Sequence, residues 1–130
     1  MTQRVSLSTW APVAAWAALI FLLSAQPDPE SLSPVTFAWD DAVAHLLLYT
    51  VLGALLWRAF ARRPAAPPWR RPAGCATISG SLYGVFDEFH QSFVPRRTPD
   101  LADVLIDVVG VAIGVALAAA LTRRRARRPA

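Results

Sequence analysis

Four long apolar runs separated by short polar segments dominate the chain. The first, WAPVAAWAALIFLLSA, spans Trp10 to Ala25 and lengthens through the preceding VSLST to the ~20 residues that cross a hydrocarbon layer as a helix. The second, AVAHLLLYTVLGALLWRAF, spans Ala42 to Phe60, with Arg58 close enough to its end to snorkel. The third runs from Ala73 to Phe93 and is the least apolar, and the fourth follows TPDL and continues to Leu121. The pattern predicts an all-α, four-helix transmembrane bundle forming one domain over 1–130, with spans at 8–25, 42–61, 73–93 and 100–121 and a basic tail over 122–130. Thr98 is the expected N-cap of the last helix, with Pro99 at its first position and Asp100 in its first turn. Pro64 and Pro72 bracket the central connector, and Pro95 ends the third helix.

Charge adds an orientation. The chain is 55% apolar with a formal charge of +4, and all 13 basic residues are Arg. Arg4 precedes the first run; Arg58, Arg62, Arg63, Arg70 and Arg71 lie between the second and third; Arg123, Arg124, Arg125, Arg127 and Arg128 follow the fourth. Basic residues collect on the cytoplasmic side, so both termini are expected there. Asp28, Glu30, Asp40, Asp41, Asp87, Glu88, Asp100, Asp103 and Asp107 then all fall in the outward-facing half, opposed by Arg96 and Arg97. Arginines beside membrane spans read as topology determinants, and nucleic-acid binding is not expected. The Arg4, apolar run and LLSAQP sequence imitates a signal peptide, but Leu23 is bulky for the position three before a cut after Ala25. The single Cys75 has no partner for an internal disulfide and reads as a small apolar helix residue.

Helical spacing sorts the polar residues into rows. Asp41 and His45 are four apart, with Tyr49 less closely on the same side; Tyr83, Asp87 and Gln91 form a second row flanked by Gly84 and Glu88; Asp100, Asp103, Asp107, Gly110 and Gly114 form a third. A lone carboxylate in hydrocarbon is costly, so these faces should turn toward one another or toward a water-filled mouth. The expected arrangement brings Glu88 and Gln91 near Asp103 or Asp107, with His45 on the same side and Arg97 folded over the opening. Gly80 with Gly84, and Gly110 with Gly114, are small-xxx-small stripes that favour close packing of the third and fourth helices. Arg96 and Arg97 either neutralise neighbouring Asp or hold a phosphate or carboxylate in a bidentate grip. His45 reads as a base, a metal ligand, or a packed residue bonded to Asp or Glu, whereas His90 reads as interfacial.

This ordered set resembles the VanZ-like family of small bacterial membrane proteins. The family's second helix opens with Asp-Lys-x-x-His and continues to a Tyr and a Leu-Gly pair, which fall on Asp41, His45, Tyr49, Leu52 and Gly53. Its third-helix pattern falls on Tyr83, Asp87, Glu88, Gln91, Phe93, Pro95 and Arg97, and its fourth on Asp103, Asp107, Gly110 and Gly114. Two positions depart from the pattern: Ala42 replaces the usual Lys, and Arg96 stands where Gly is common. The resemblance implies a multi-pass protein of the bacterial cytoplasmic membrane. The family's name derives from a protein linked to teicoplanin resistance, so a link to glycopeptide susceptibility is a further expectation.

The expected function is binding of a polar or phosphate-bearing envelope lipid, or lipid-linked cell-wall precursor, at an outward-facing polar cavity. Arg96 and Arg97 would hold the anion, with Asp87, Glu88, Gln91 and His45 bonded to its neutral parts. The alternative is a membrane enzyme acting on a lipid-linked substrate, with Glu88 or Asp107 as base and His45 as acid or ligand. No cofactor is predicted, apart from a divalent cation under that alternative.

Overall fold

The computed structural model describes residues 7–27, 40–62 and 72–126. The expectations for Asp28, Glu30, the central Pro-rich connector from 63 to 71 and the last four residues lie outside them. Four helices are present: α1 (Leu7–Ser24), α2 (Asp40–Ala61), α3 (Pro72–Gln91) and α4 (Leu101–Ala126). Among the described residues, α1, α2 and α4 are long and apolar enough to cross a membrane. The chain is a multi-pass membrane protein.

Its surface and interior are inverted relative to a water-soluble bundle. Ile78, Leu82, Val85, Phe86 and Phe89 are exposed along one face of α3, while Asp87, Glu88 and Gln91 are buried on the other. On α4 the exposed positions include Leu105, Val109, Ile113 and Leu117, whereas Asp107 is fully buried. Apolar side chains outward and carboxylates inward is the arrangement that hydrocarbon favours, because lipid solvates the first and not the second.

The closest helix approach is α2 against α4, and glycine makes it. A Cβ on Gly110 would sit 2.8 Å from the Leu46 carbonyl oxygen, and one on Gly114 would sit 2.8 Å from the Thr50 carbonyl carbon. The two α4 glycines therefore meet α2, not α3 as their spacing had suggested. Gly80 and Gly84 do face α4, across from the Val111 side chain and Asp107. Both helices thus lie close to α4, on different sides of it.

The ends of α3 and α4 differ from expectation in three places. α3 ends at Gln91, two residues before Phe93, and a turn containing Pro95 follows. Asp100, not Thr98, caps α4: its Oδ1 accepts from Ala102 N at 2.9 Å and its carbonyl oxygen from Asp103 N at 3.0 Å. At the far end α4 continues helically through the arginines to Ala126, past the expected Leu121.

Between α3 and the Asp100 cap, Arg97 N donates to Val94 O at 3.2 Å, and Arg96 has φ 64°. With Pro95 at the second position this is a type II turn, whose third position needs positive φ and so favours Gly. That explains why Gly is common at position 96 in the resembling sequences. An L-residue there costs roughly 1–2 kcal/mol, and Gly's extra freedom in the unfolded chain returns about half of that. Arg96→Gly should therefore raise the thermal midpoint in detergent by a few degrees. A lowered midpoint would mean that the Arg96 side chain stabilises the fold.

Candidate functional site

Three of the four helices send polar side chains to one end of the bundle interior, and the end of α1 meets them. His45 on α2 and Asp107 on α4 are both buried and in contact, Nδ1 to Oδ1 at 2.9 Å. The pairing follows from the glycine contact, which draws the two helices together one turn deeper. On the other side of the imidazole, Nε2 lies 3.9 Å from Asp41 Oδ1, one helical turn toward the mouth. Asp41 also accepts from Arg97 Nη1 at 3.4 Å, and Arg97 Nε donates to the Gln26 carbonyl oxygen at 3.3 Å. Arg97 Nη2 has no protein acceptor among the described residues. The Arg97 side chain is only 10% exposed, so the turn at Pro95 does fold it back over the cluster.

α3 contributes the second buried carboxylate. Ser24 Oγ donates to Asp87 Oδ2 at 2.8 Å, and Gln91 Nε2 reaches Ser24 Oγ at 3.5 Å. Gln91 therefore bonds to α1 instead of approaching Asp103 or Asp107. Glu88 turns to the start of α4, where its Oε1 accepts from Asp100 N. This carboxylate clasps the α3–α4 connection, a structural use for a residue expected to act as a base. Tyr83 donates to the Ala17 carbonyl oxygen at 2.6 Å. Tyr49 is fully buried, and its hydroxyl lies beside Asp87 without a well-aligned hydrogen bond. Asp103 is half-buried next to His45 and Asp41. Arg96 is exposed and makes no contact with the cluster among the described residues, so Arg97, not Arg96, supplies Asp41 with the cation that Ala42 lacks.

Between α1, α2 and α3 lies a pocket of about 180 Å³. Ser24, Asp41, His45, Tyr49, Asp87 and Arg97 form its polar lining, with Ile20 and Leu48 among the apolar remainder. Among the described residues, the buried carboxylate oxygens Asp87 Oδ1, Glu88 Oε2 and Asp107 Oδ2 have no hydrogen-bond partner. Two sets of donor atoms fall within 4.8 Å of one another: the buried His45, Asp87 and Asp107, and the shallower Asp41, His45 and Asp103. His90 lies outside, its ring 4.2 Å from that of Phe21 by centroids, in keeping with an interfacial place.

The sequence reading missed Ser24 and the Gln26 carbonyl. Ser24 belongs to the LLSAQP segment that imitates a signal-peptide end, and a single hydroxyl in an apolar run forms no row. Its depth was the usable signal, because it sits at the same end of its span as the polar residues of the others.

Fold and site thus define a multi-pass membrane protein with an ionisable His–Asp cluster enclosed among its helices. A family model described as VanZ/LLP1 matches residues 9–122, and the chain belongs to that family. No curated protein and no solved structure matches it.

Proposed function

We propose that the protein binds the phosphate-bearing polar head of an envelope lipid or lipid-linked cell-wall precursor in the pocket beside α1. The observation carrying this reading is the nearly buried Arg97 side chain on the pocket wall, with one terminal nitrogen unclaimed by any described residue. A guanidinium holds two anionic oxygens in parallel, and its existing 3.4 Å contact to the half-exposed Asp41 is weak enough for a phosphate to displace. The apolar lining from Ile20 and Leu48 suits the first carbons of a lipid next to its head.

The orientation belongs to the same proposal. α3 spans the membrane as well, since its 20 residues reach about 30 Å and its exposed face is apolar throughout. Four spans with arginine at one side place both termini in the cytoplasm and the pocket at the outer leaflet.

Calorimetric titration of the protein in nanodiscs with a short-chain phosphatidic acid tests the site. Arg97→Ala should weaken binding at least tenfold, whereas Arg124→Ala, at the opposite end of α4, should leave it unchanged. Equal losses in the two variants would sink a localised site.

An enzymatic use of the pocket is the second reading, favoured by His45 lying on its wall in direct contact with Asp107. It predicts turnover of a lipid-linked phosphate ester that His45→Gln abolishes while head-group binding persists.

A further inference from the structure

We infer that His45, Asp87 and Asp107 form a divalent-cation site whose open coordination position faces the pocket. The three residues come from three different helices, and each is at most 5% exposed. Their donor atoms already converge to within 4.8 Å.

Two independent features point to a cation. Asp87 Oδ1 and Asp107 Oδ2 are buried carboxylate oxygens without a hydrogen-bond partner among the described residues, and anionic oxygens withdrawn from water are costly unless something positive reaches them. Arg97 is engaged elsewhere, donating to Asp41 and to the Gln26 carbonyl. Two carboxylates, a neutral imidazole and a divalent ion also sum to zero charge, the balance a low-dielectric interior favours. A single proton shared with His45 leaves the cluster one negative charge in excess.

The geometry suits such an ion. Asp41 sits on the Nε2 side of His45, which favours the proton there and leaves the Nδ1 lone pair toward Asp107; carboxylates commonly orient metal-bound histidines in this way. Metal–ligand distances of ~2.0–2.2 Å require donor atoms about 3–3.5 Å apart. The His45–Asp107 pair is already at 2.9 Å. Asp87 already places a carboxylate oxygen within 4.8 Å of the other two donor atoms, a gap that small side-chain rotations close. One imidazole with two carboxylates is a ligand set for Zn²⁺ or Mn²⁺. His45 and Asp87 line the pocket, so the remaining position opens toward whatever occupies it.

This site goes beyond the head-group reading and does not depend on it, because the ion can be measured with no lipid ligand added. The probe is ZnCl₂ or MnCl₂ alone, added to the full-length chain purified in detergent with chelator and then dialysed. Elemental analysis should give one equivalent per chain, and Co²⁺ substitution should give a visible absorption band of a low-symmetry N/O site. Asp87→Asn and His45→Gln should each weaken binding at least a hundredfold, while Asp103→Asn stays within a few fold of the parent. Helix content and elution volume identify any variant that fails to fold, and Asp87→Asn, which keeps the Ser24 bond, carries the test if His45→Gln does not. Substoichiometric metal in the parent chain overturns the site. So does binding that survives Asp87→Asn, or that follows Asp103 instead.

Discussion

Gly114→Ile should be severely damaging to the bundle, lowering stability by about 3 kcal/mol or more. A Cβ at this position overlaps the Thr50 backbone of α2, whose carbonyl carbon would be 2.8 Å away, and backbone cannot rotate aside as a side chain can. The helices would have to separate, and with them His45 and Asp107, which meet only because the glycines let α2 and α4 touch. Gly74→Ala is the matched control, since nothing lies within 4 Å of a Cβ there and helix propensity improves by roughly 0.5–1 kcal/mol. Thermal unfolding in detergent, followed by helix content, measures both. A Gly114→Ile protein as stable as its parent would show that the close approach does not exist in the membrane protein.

The His45–Asp107 pair supplies the second large effect, and its form is informative. In metal-free protein, Asp107→Leu alone should cost about 3–5 kcal/mol, because it leaves a buried imidazole without its partner. The double variant His45→Leu with Asp107→Leu should recover most of that loss, since a buried polar pair replaced by packed apolar groups is often neutral or stabilising. The double variant would nonetheless bind no cation. Recovery of fold without recovery of binding separates a pair retained for function from one retained for stability. If the double variant were as unstable as the single, Asp87 and Tyr49 would depend on the pair for their own placement.

Both experiments probe what the sequence left open. The four helices and their polar rows were legible because the helical period is fixed: once Asp41, His45 and Tyr49 share a helix, their face follows. Which face meets which was not, because periodicity carries no information about the order of neighbours around a bundle. Gly110 and Gly114 announced a close contact without naming its partner, and that partner proved to be α2. Gln91 shared a row with Asp87, but both turn toward α1, whose lone Ser24 gave no pattern to detect. Arg96 and Arg97 were paired in sequence as one anion grip, and the backbone separates them. The type II turn spends one on a left-handed position and aims the other into the pocket.

The bonds holding α1 in place also dictate an order of assembly. Trp16 donates to the Leu48 carbonyl of α2 at 2.9 Å, while Ala17 and Ser24 receive Tyr83 and supply Asp87 from α3. When α3 leaves the ribosome it carries Asp87, Glu88 and Gln91, the heaviest polar load of any segment, and α4 has not yet been made. α1 and α2 are by then complete, and Ser24 and the Ala17 carbonyl offer partners that lipid cannot. The least apolar helix is thus expected to dock on the two before it, with α4 closing the cluster last.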